Sequence, residues 1–358
     1  MTSASRSLAR SRFRSRSRAR RFVPVFALTA AAALVLAGCS GASGDPATTG
    51  SGSGDGASKG AAADPRAPEQ TDVAVGGIRA PGLAPLSLAQ SAGIAADYGL
   101  EWTPSWVDNS GIAVTSVLSG DLVAANSSYF GVIDAALQGL DIVVVTEGWA
   151  SAPGTGSLET MPDSGIESVE DLIGKTVAVV SLNSSHAIKL KDQLLKADLD
   201  PDDVNWVELP YGEVATALEQ GTVDASSAVG AALAAAKNDL GTVTVFDYGS
   251  GEYEGMAESG YIMKRSFVEA NPNTTAAIQC TLAESAQLAL DDEETYLGEL
   301  TAVFGMTPEA AKADVPPAFI SGSRADALQK NADIYLNVGS IEGEFDMSSI
   351  TIPMPENC

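Results

Sequence analysis

Two stretches of this chain, 101 residues apart, repeat one another. Val73-Ala74-Val75-Gly76-Gly77-Ile78 stands at the offset of Gly174-Lys175-Thr176-Val177-Ala178-Val179. Each is a β-prone run leading into a turn and then a helical pattern. The second match is closer. Ala113-Val114-Thr115-Ser116-Val117-Leu118-Ser119-Gly120-Asp121-Leu122-Val123-Ala124 aligns with Val214-Ala215-Thr216-Ala217-Leu218-Glu219-Gln220-Gly221-Thr222-Val223-Asp224-Ala225. In both, a helix ends at a glycine, the residue that best tolerates a left-handed cap. A short strand, small residues and another helix follow. Each copy therefore reads β-α-β-α-β, closing with strands near 141–146 and 242–246.

Strands alternating with helices predict an α/β fold with mainly parallel sheets covered by helices. Two such lobes, joined by few crossings, form a clamshell. Ligands of open parallel sheets sit beyond the carboxyl ends of the strands, where helix N-termini present unpaired N–H groups. Capture then proceeds by hinge closure. The Gly/Pro/Ser stretch at 151–164 is expected to carry the chain into the second lobe, and a strand at Gly260-Tyr261-Ile262-Met263 to bring it back. This gives lobe 1 as 71–155 and 262–358, and lobe 2 as 156–261. Helices after Asn271-Pro272, Thr307-Pro308 and Ser323 are expected to return to lobe 1.

The N-terminus lies outside this scheme. Residues 1–38 hold eight arginines and no acid, followed by an apolar run from Phe26 to Ala37. That is the layout of a secretion signal, and the run is too short for a stable bilayer span, which takes about 20 residues. It ends in Leu36-Ala37-Gly38-Cys39, similar to a bacterial lipobox with Cys39 as the lipidated residue. An ordinary secretion signal that happens to contain a cysteine is the alternative. Arg20-Arg21-Phe22 also has a weak twin-arginine look, which leaves the export route open. Residues 39–70 are Gly, Ser, Ala, Thr, Asp and Pro almost throughout and read as a flexible tether.

Net charge is −25 over 358 residues. Without the signal arginines, 13 basic residues face 46 acidic ones. Such a field disfavours nucleic acid and anionic lipid headgroups as partners. It also gives an anionic ligand no long-range attraction, so local donors would have to hold one. Beyond Cys39 only Cys280 and Cys358 remain. Two cysteines in an exported body point to one disulfide; a buried Cys280 with a free Cys358 is the other arrangement the sequence permits. There is no CxxC and no His/Cys cluster, so neither a metal nor a cofactor is expected.

Several series carry a family resemblance. They are Ala84-Pro85-Leu86-Ser87-Leu88-Ala89, Tyr98-Gly99-Leu100, Leu118-Ser119-Gly120-Asp121, the run from Ser164 to Ala178, Ser184-Ser185-His186, Leu199-Asp200-Pro201-Asp202-Asp203-Val204 and Ala217 to Ala225. In order and spacing they resemble the nitrate/sulfonate/taurine solute-binding family over nearly all of 73–335. The resemblance implies a two-lobed type II periplasmic-binding fold and delivery of a small-molecule ligand to an ABC permease; with the lipobox-like end at Cys39, the expectation is a lipid-anchored extracytoplasmic protein, and a monomer. Ser184-Ser185-His186 looks most like the alkanesulfonate binders. One departure matters. Where many relatives carry a Trp-Glu-Pro-like turn, this chain has Ala228-Val229-Gly230, which alters the floor of the site on lobe 2.

Candidate ligand residues follow from the strand ends. Asn183, Ser184, Ser185 and His186, the only histidine, form a polar strand-to-helix junction whose hydroxyls and N–H groups suit an anionic or carbonyl oxygen. Arg79, Gly82 and Leu83 occupy the equivalent turn of lobe 1. Gly82 allows close approach, and Arg79 is either an anion clamp or a structural ion-pair partner. Asn109 and Ser110 precede the next helix of lobe 1, with Tyr211 at the matching place in lobe 2. Ser127, Ser128 and Tyr129 end the following strand. Trp149 lies near the crossing, as a stacking face or a hinge residue. Ala228 and Val229 complete the set, while Trp102, Trp106 and Trp206 read as core.

Catalysis is not expected, because no convergent acid–base or nucleophilic set is visible. Pyrimidine synthases of thiamine biosynthesis share the implied scaffold but carry a Cys-rich motif absent here. The ligand expectation is a sulfonate-, nitrate- or taurine-like solute. The alternatives are a neutral heteroaromatic of the thiamine-precursor pyrimidine kind, or a surface sensor uncoupled from transport.

Overall fold

The computed structural model describes residues 63–320, 322 and 324–358. The signal segment 1–38, Cys39 and the tether up to 62 lie outside the described residues. The last part of the segment read as tether, 63–70, is bound to the body. Glu69 accepts the backbone N–H groups of Asn273 and Thr274 at 3.0 and 2.7 Å. The Arg66 guanidinium lies 4.9 Å from the centre of the Tyr98 ring. A helix N-terminus in need of acceptors explains why this stretch is held although its composition is that of a linker.

The first repeat copy is built as β1 (Asp72–Ile78), α1 (Ala84–Ser91), the single turn α2 (Ile94–Asp97), β2 (Glu101–Val107), α3 (Ser110–Ser119), β3 (Ala124–Ser128), α4 (Tyr129–Leu137) and β4 (Val143–Ala150). A crossing leads to β5 (Gly156–Thr160). The second copy follows as β6 (Thr176–Val179), α5 (Ser185–Lys196), β7 (Asn205–Glu208), α6 (Val214–Glu219), β8 (Ala225–Val229), α7 (Gly230–Leu240) and β9 (Val243–Asp247). The chain returns as β10 (Ala257–Met263) and ends with α8 (Arg265–Ala270), α9 (Pro272–Asp291), α10 (Glu293–Ala302), α11 (Pro308–Ala313), β11 (Ala318–Phe319) and α12 (Ala325–Asn337).

These strands form two separate sheets, in the orders β11-β4-β10-β3-β1-β2 and β7-β6-β8-β5-β9. Within each copy the pairing is the same: the first strand lies parallel to the second on one side and to the third on the other. The sheets are nevertheless mixed. β10 is inserted antiparallel between β3 and β4, and β5 antiparallel between β8 and β9. Both inserted strands adjoin the crossings. A division of the lobes at 261/262 cuts through β10, which pairs with the first sheet along its length.

Apolar residues on both faces of each sheet make the cores. In the first lobe, Val73, Val75, Leu86 and Trp102 pack with Ile278 and Cys280 of α9, while Val132, Ile133 and Leu328 fill the other side. Burying a side chain of this size is worth roughly 1.5–3 kcal/mol, so each lobe holds its own shape. Trp102 is buried and donates its indole N–H to Leu86 O at 2.9 Å. Trp106 and Trp206 are half-buried at the core margins. Cys280 and Cys358 are joined as a disulfide, which closes the C-terminal tail onto α9.

The two crossings lie against each other. Ser151 donates to Met256 O at 2.8 Å and accepts from Gly255 N at 2.9 Å, and Tyr248 N reaches Gly156 O at 3.0 Å. Gly249 makes this contact sterically feasible, because a Cβ there would stand 1.9 Å from Ala152 O.

Candidate functional site

The carboxyl ends of β1, β3, β6 and β8 meet across a cleft between the lobes. Its space, open mouth included, is about 870 Å³. The local reason is the same at most points: a strand ends, a polar residue caps the next helix, and the cap lies at the cleft. Asn109 accepts from Ile112 N at 3.0 Å, Ser128 from Gly131 N at 3.3 Å and Ser184 from Ala187 N at 3.3 Å. These side chains satisfy one donor each and leave neighbouring N–H groups free at the cavity.

Of the residues expected from sequence, the cleft is lined by Gly82, Leu83, Asn109, Ser110, Ser128 and Trp149 from lobe 1, and by Ser184, Ser185, His186, Tyr211 and Val229 from lobe 2. The Trp149 indole lies against Gly82, where a Cβ would approach it to 2.9 Å. His186 is stacked on Tyr248 with ring centres 4.0 Å apart, and its Nδ1 is 3.3 Å from the Tyr211 hydroxyl. Burial pulls the imidazole down to about 4, so it is neutral at physiological pH.

The remaining expected residues stand elsewhere, each for a physical reason. Arg79 is exposed, with its guanidinium 5.5 Å from the centre of the Trp106 ring, and lines an adjoining groove with Pro81, Tyr211 and Val229 rather than the cleft itself. Ser127 faces away because side chains alternate along β3, where Asn126 and Ser128 take the cleft face. Ala228 is excluded by the same alternation beside Val229. Tyr129 begins α4 and turns into the core beneath the cleft, against Gly260. Asn183 forms rim rather than wall: its side chain takes the Ser181 hydroxyl at 2.5 Å, and its carbonyl accepts from Ser128 Oγ of the other lobe at 3.4 Å.

Sequence reasoning missed further lining residues. Asn126 and Ser259 face each other's strands on β3 and β10, and Glu258 precedes Ser259. The alternation in Ala124-Ala125-Asn126-Ser127-Ser128 was a usable signal for Asn126. Asp314, Val315 and Pro317 come from the segment between α11 and β11, which has no counterpart in either repeat copy and so gave none.

The electrostatics of the cleft are unusual for an anion site. Among the described residues lining it there is no lysine or arginine. Its acids are Glu258 and Asp314. Glu258 is paired with the buried Lys189 of α5, which also donates to Ser151 Oγ at 2.7 Å and Tyr248 O at 2.9 Å. Burial opposes charge on Glu258, but the ammonium outweighs it and holds the carboxyl below its ordinary range. Three buried polar atoms at the cleft have no hydrogen-bond partner: Asn126 Nδ2, Ser185 Oγ and Ser259 Oγ. Ile78, Leu83, Trp149, Val180, Val229 and Val315 supply an apolar remainder. The arrangement suits a compact ring with a few polar edges. Among the described residues no group of three His, Cys, Asp or Glu side chains converges as metal ligands.

Two lobes built on one repeated unit and facing each other across such a cleft define a periplasmic-binding-protein fold, with mixed sheets flanked by helices. Solved structures agree. The alkanesulfonate-binding protein of Xanthomonas axonopodis pv. citri, bound to MOPS, superimposes with a TM-score of 0.68 at 18% identity, over 80% of this chain and 100% of that one. The periplasmic aliphatic sulphonate-binding protein of Escherichia coli gives 0.65 at 19%, over 79% and 97%. The periplasmic nitrate-binding protein of Synechocystis PCC 6803 gives 0.66 at 14%, over 79% and 86%. No curated protein sequence matches. Residues 80–296, more than half of the chain, match the family described as NMT1/THI5 like, and the chain belongs to it.

Proposed function

We propose that this protein captures a small, uncharged, ring-bearing organic solute outside the cytoplasm and presents it to an ABC importer permease by closing its two lobes. The observation that carries the ligand class is the charge of the cleft: among the described residues no cation lines it, its histidine is neutral, and three buried polar atoms await partners. Burying a bare anion against such walls would leave its charge unpaired, at a cost of several kcal/mol. A neutral heteroaromatic needs only an apolar wall and a few hydrogen bonds. What faces the cavity is hydroxyls, amides, a neutral imidazole and two carboxyls, one of them tied to Lys189, with no nucleophile set against a base, and this supports carriage rather than catalysis. The basic, apolar start of the chain and Cys39 support export and a lipid anchor at the membrane face.

A sulfonate remains the second reading, favoured by the free N–H groups at the starts of α4 and α5 and by the likeness to sulfonate-binding folds. Thermal-shift and calorimetric titration against pyrimidines, MOPS, taurine and nitrate separates the two, since a tight ligand raises apparent stability by mass action. Pyrimidines are expected to bind and the anions not to. Binding of MOPS or nitrate with pyrimidines inert would reverse the assignment.

A further inference from the structure

The cleft wall contains one acid that no cation among the described residues neutralises. Asp314 follows α11, in the tail segment that belongs to neither repeat copy. Its Oδ2 accepts the Tyr296 hydroxyl at 3.3 Å, and none of the ion pairs among the described residues includes it. Its Oδ1 lies 3.9 Å from where a Cβ at Gly230 would stand, so the carboxyl faces across the cleft toward the first turn of α7.

We propose that Asp314 is the specificity residue of this site, accepting a hydrogen bond from an N–H donor on the bound ring, so that the cleft selects solutes with an amino or ring N–H edge. The proposal rests on the reading of the ligand as an uncharged ring and names the edge such a ring must present. A half-buried carboxylate with one weak protein partner gains most from a ligand donor, because hydrogen bonds to an ionised acceptor are the stronger kind. Burial has already pushed its carboxyl up to about 6, the mark of an acid short of partners. Independently, Asn126 Nδ2, Ser185 Oγ and Ser259 Oγ are buried, unpartnered and in the same cleft. The amide and the hydroxyls can donate to ring nitrogens or carbonyls. Donor side chains and one acceptor carboxylate, set beside the Trp149 face, complement a ring that alternates N–H and lone-pair positions.

The test uses probes that differ only in their N–H groups: uracil against 1,3-dimethyluracil, and 4-aminopyrimidine against its N,N-dimethyl analogue. Each is titrated calorimetrically into the wild-type protein, Asp314→Asn and Asp314→Ser. The N–H probes are expected to bind the wild type at least about tenfold more tightly than their methylated partners. Both variants should lose that preference while staying folded, with thermal midpoints near neutral pH no lower than the wild type's, since each removes a carboxylate that burial disfavours. Equal binding of parent and methylated probes by the wild type would overturn the role of Asp314 and leave the ring reading standing. A preference that survives both substitutions would assign it to size and overturn the proposal as well. If no probe binds the wild type, the ring reading itself fails, and this inference with it.

Discussion

His186 is the only histidine in the chain, which makes its protonation directly readable. It is 6% exposed, stacked on Tyr248, and burial lowers its pKa from 6.5 to about 4. A single imidazole C2 proton resonance is therefore expected, with no titration between pH 8 and 5. A midpoint near 6.5 would show a ring open to solvent. The linkage has a definite sign. A group whose folded pKa is depressed adds stability above its unfolded pKa, and that stability is lost as pH falls through the folded value. The fold should thus weaken between about pH 6.5 and 4, by about 3 kcal/mol at the lower end. Asp314 acts in the opposite sense over a similar window, because its raised pKa favours the fold as pH falls from about 6 toward 3.8. The comparison must accordingly be made against a variant. In urea unfolding at pH 7 and pH 4, His186→Gln should lose less stability on acidification than the wild type. Equal losses would place the imidazole outside the buried stack.

Helix α5 illustrates how one element reaches both the cleft and the crossings between the lobes. Its capped start places Ser185 and His186 at the cleft, while Lys189, one turn on, reaches Ser151 and Glu258 at the two crossings. Removing one member of a buried ion pair leaves the other uncompensated, at a cost of about 3–5 kcal/mol, whereas removing both can be nearly neutral. Lys189→Met should therefore lower stability by about that amount, and Lys189→Met with Glu258→Gln should recover most of it; unfolding curves of the three proteins decide. A double variant no better than the single would mean the pair does not act as a unit. The start of α5 was legible in the sequence because Ser-Ser-His after an apolar strand is a local signal. The partner of Lys189 was not, because Glu258 arrives 69 residues later on a strand outside the repeat. The same contrast holds elsewhere. The parallel pairing of each copy followed from the duplication, but the antiparallel insertion of β5 and β10 belongs to the crossings, which have no internal periodicity to betray them. Asn126 was within reach of strand alternation. Asp314 was invisible, since only tertiary packing brings the α11–β11 segment to the cleft.

At the scale of the whole molecule, two long-range ties stand out. The Cys280–Cys358 bond closes a span of 78 residues, which in the chain-entropy account is worth about 4–5 kcal/mol. Cys280→Ser with Cys358→Ser should lower the unfolding free energy by an amount of that order, and an unchanged value would show the tail to be dispensable. The closure proposed above would depend on the seam where the lobes meet. Pro81 of lobe 1 lies on Gly230 at the start of α7, where a Cβ would stand 2.7 Å from Pro81 Cγ. Gly230 also has φ +49, a conformation that glycine adopts most readily. Ser128 Oγ to Asn183 O is the polar counterpart of this contact across the rim. Gly230→Ala should therefore have two separable effects. Backbone strain costs stability by roughly 1 kcal/mol, while the added methyl wedges the lobes apart and lowers affinity for the bound probe by at least about tenfold, mainly through faster release. Pro81→Gly added to Gly230→Ala removes the wedge but not the strain, so binding should recover while stability does not. Stopped-flow release rates and small-angle scattering with and without the probe measure both. If Gly230→Ala closes and retains its ligand as the wild type does, the Pro81–Gly230 contact is not what limits closure.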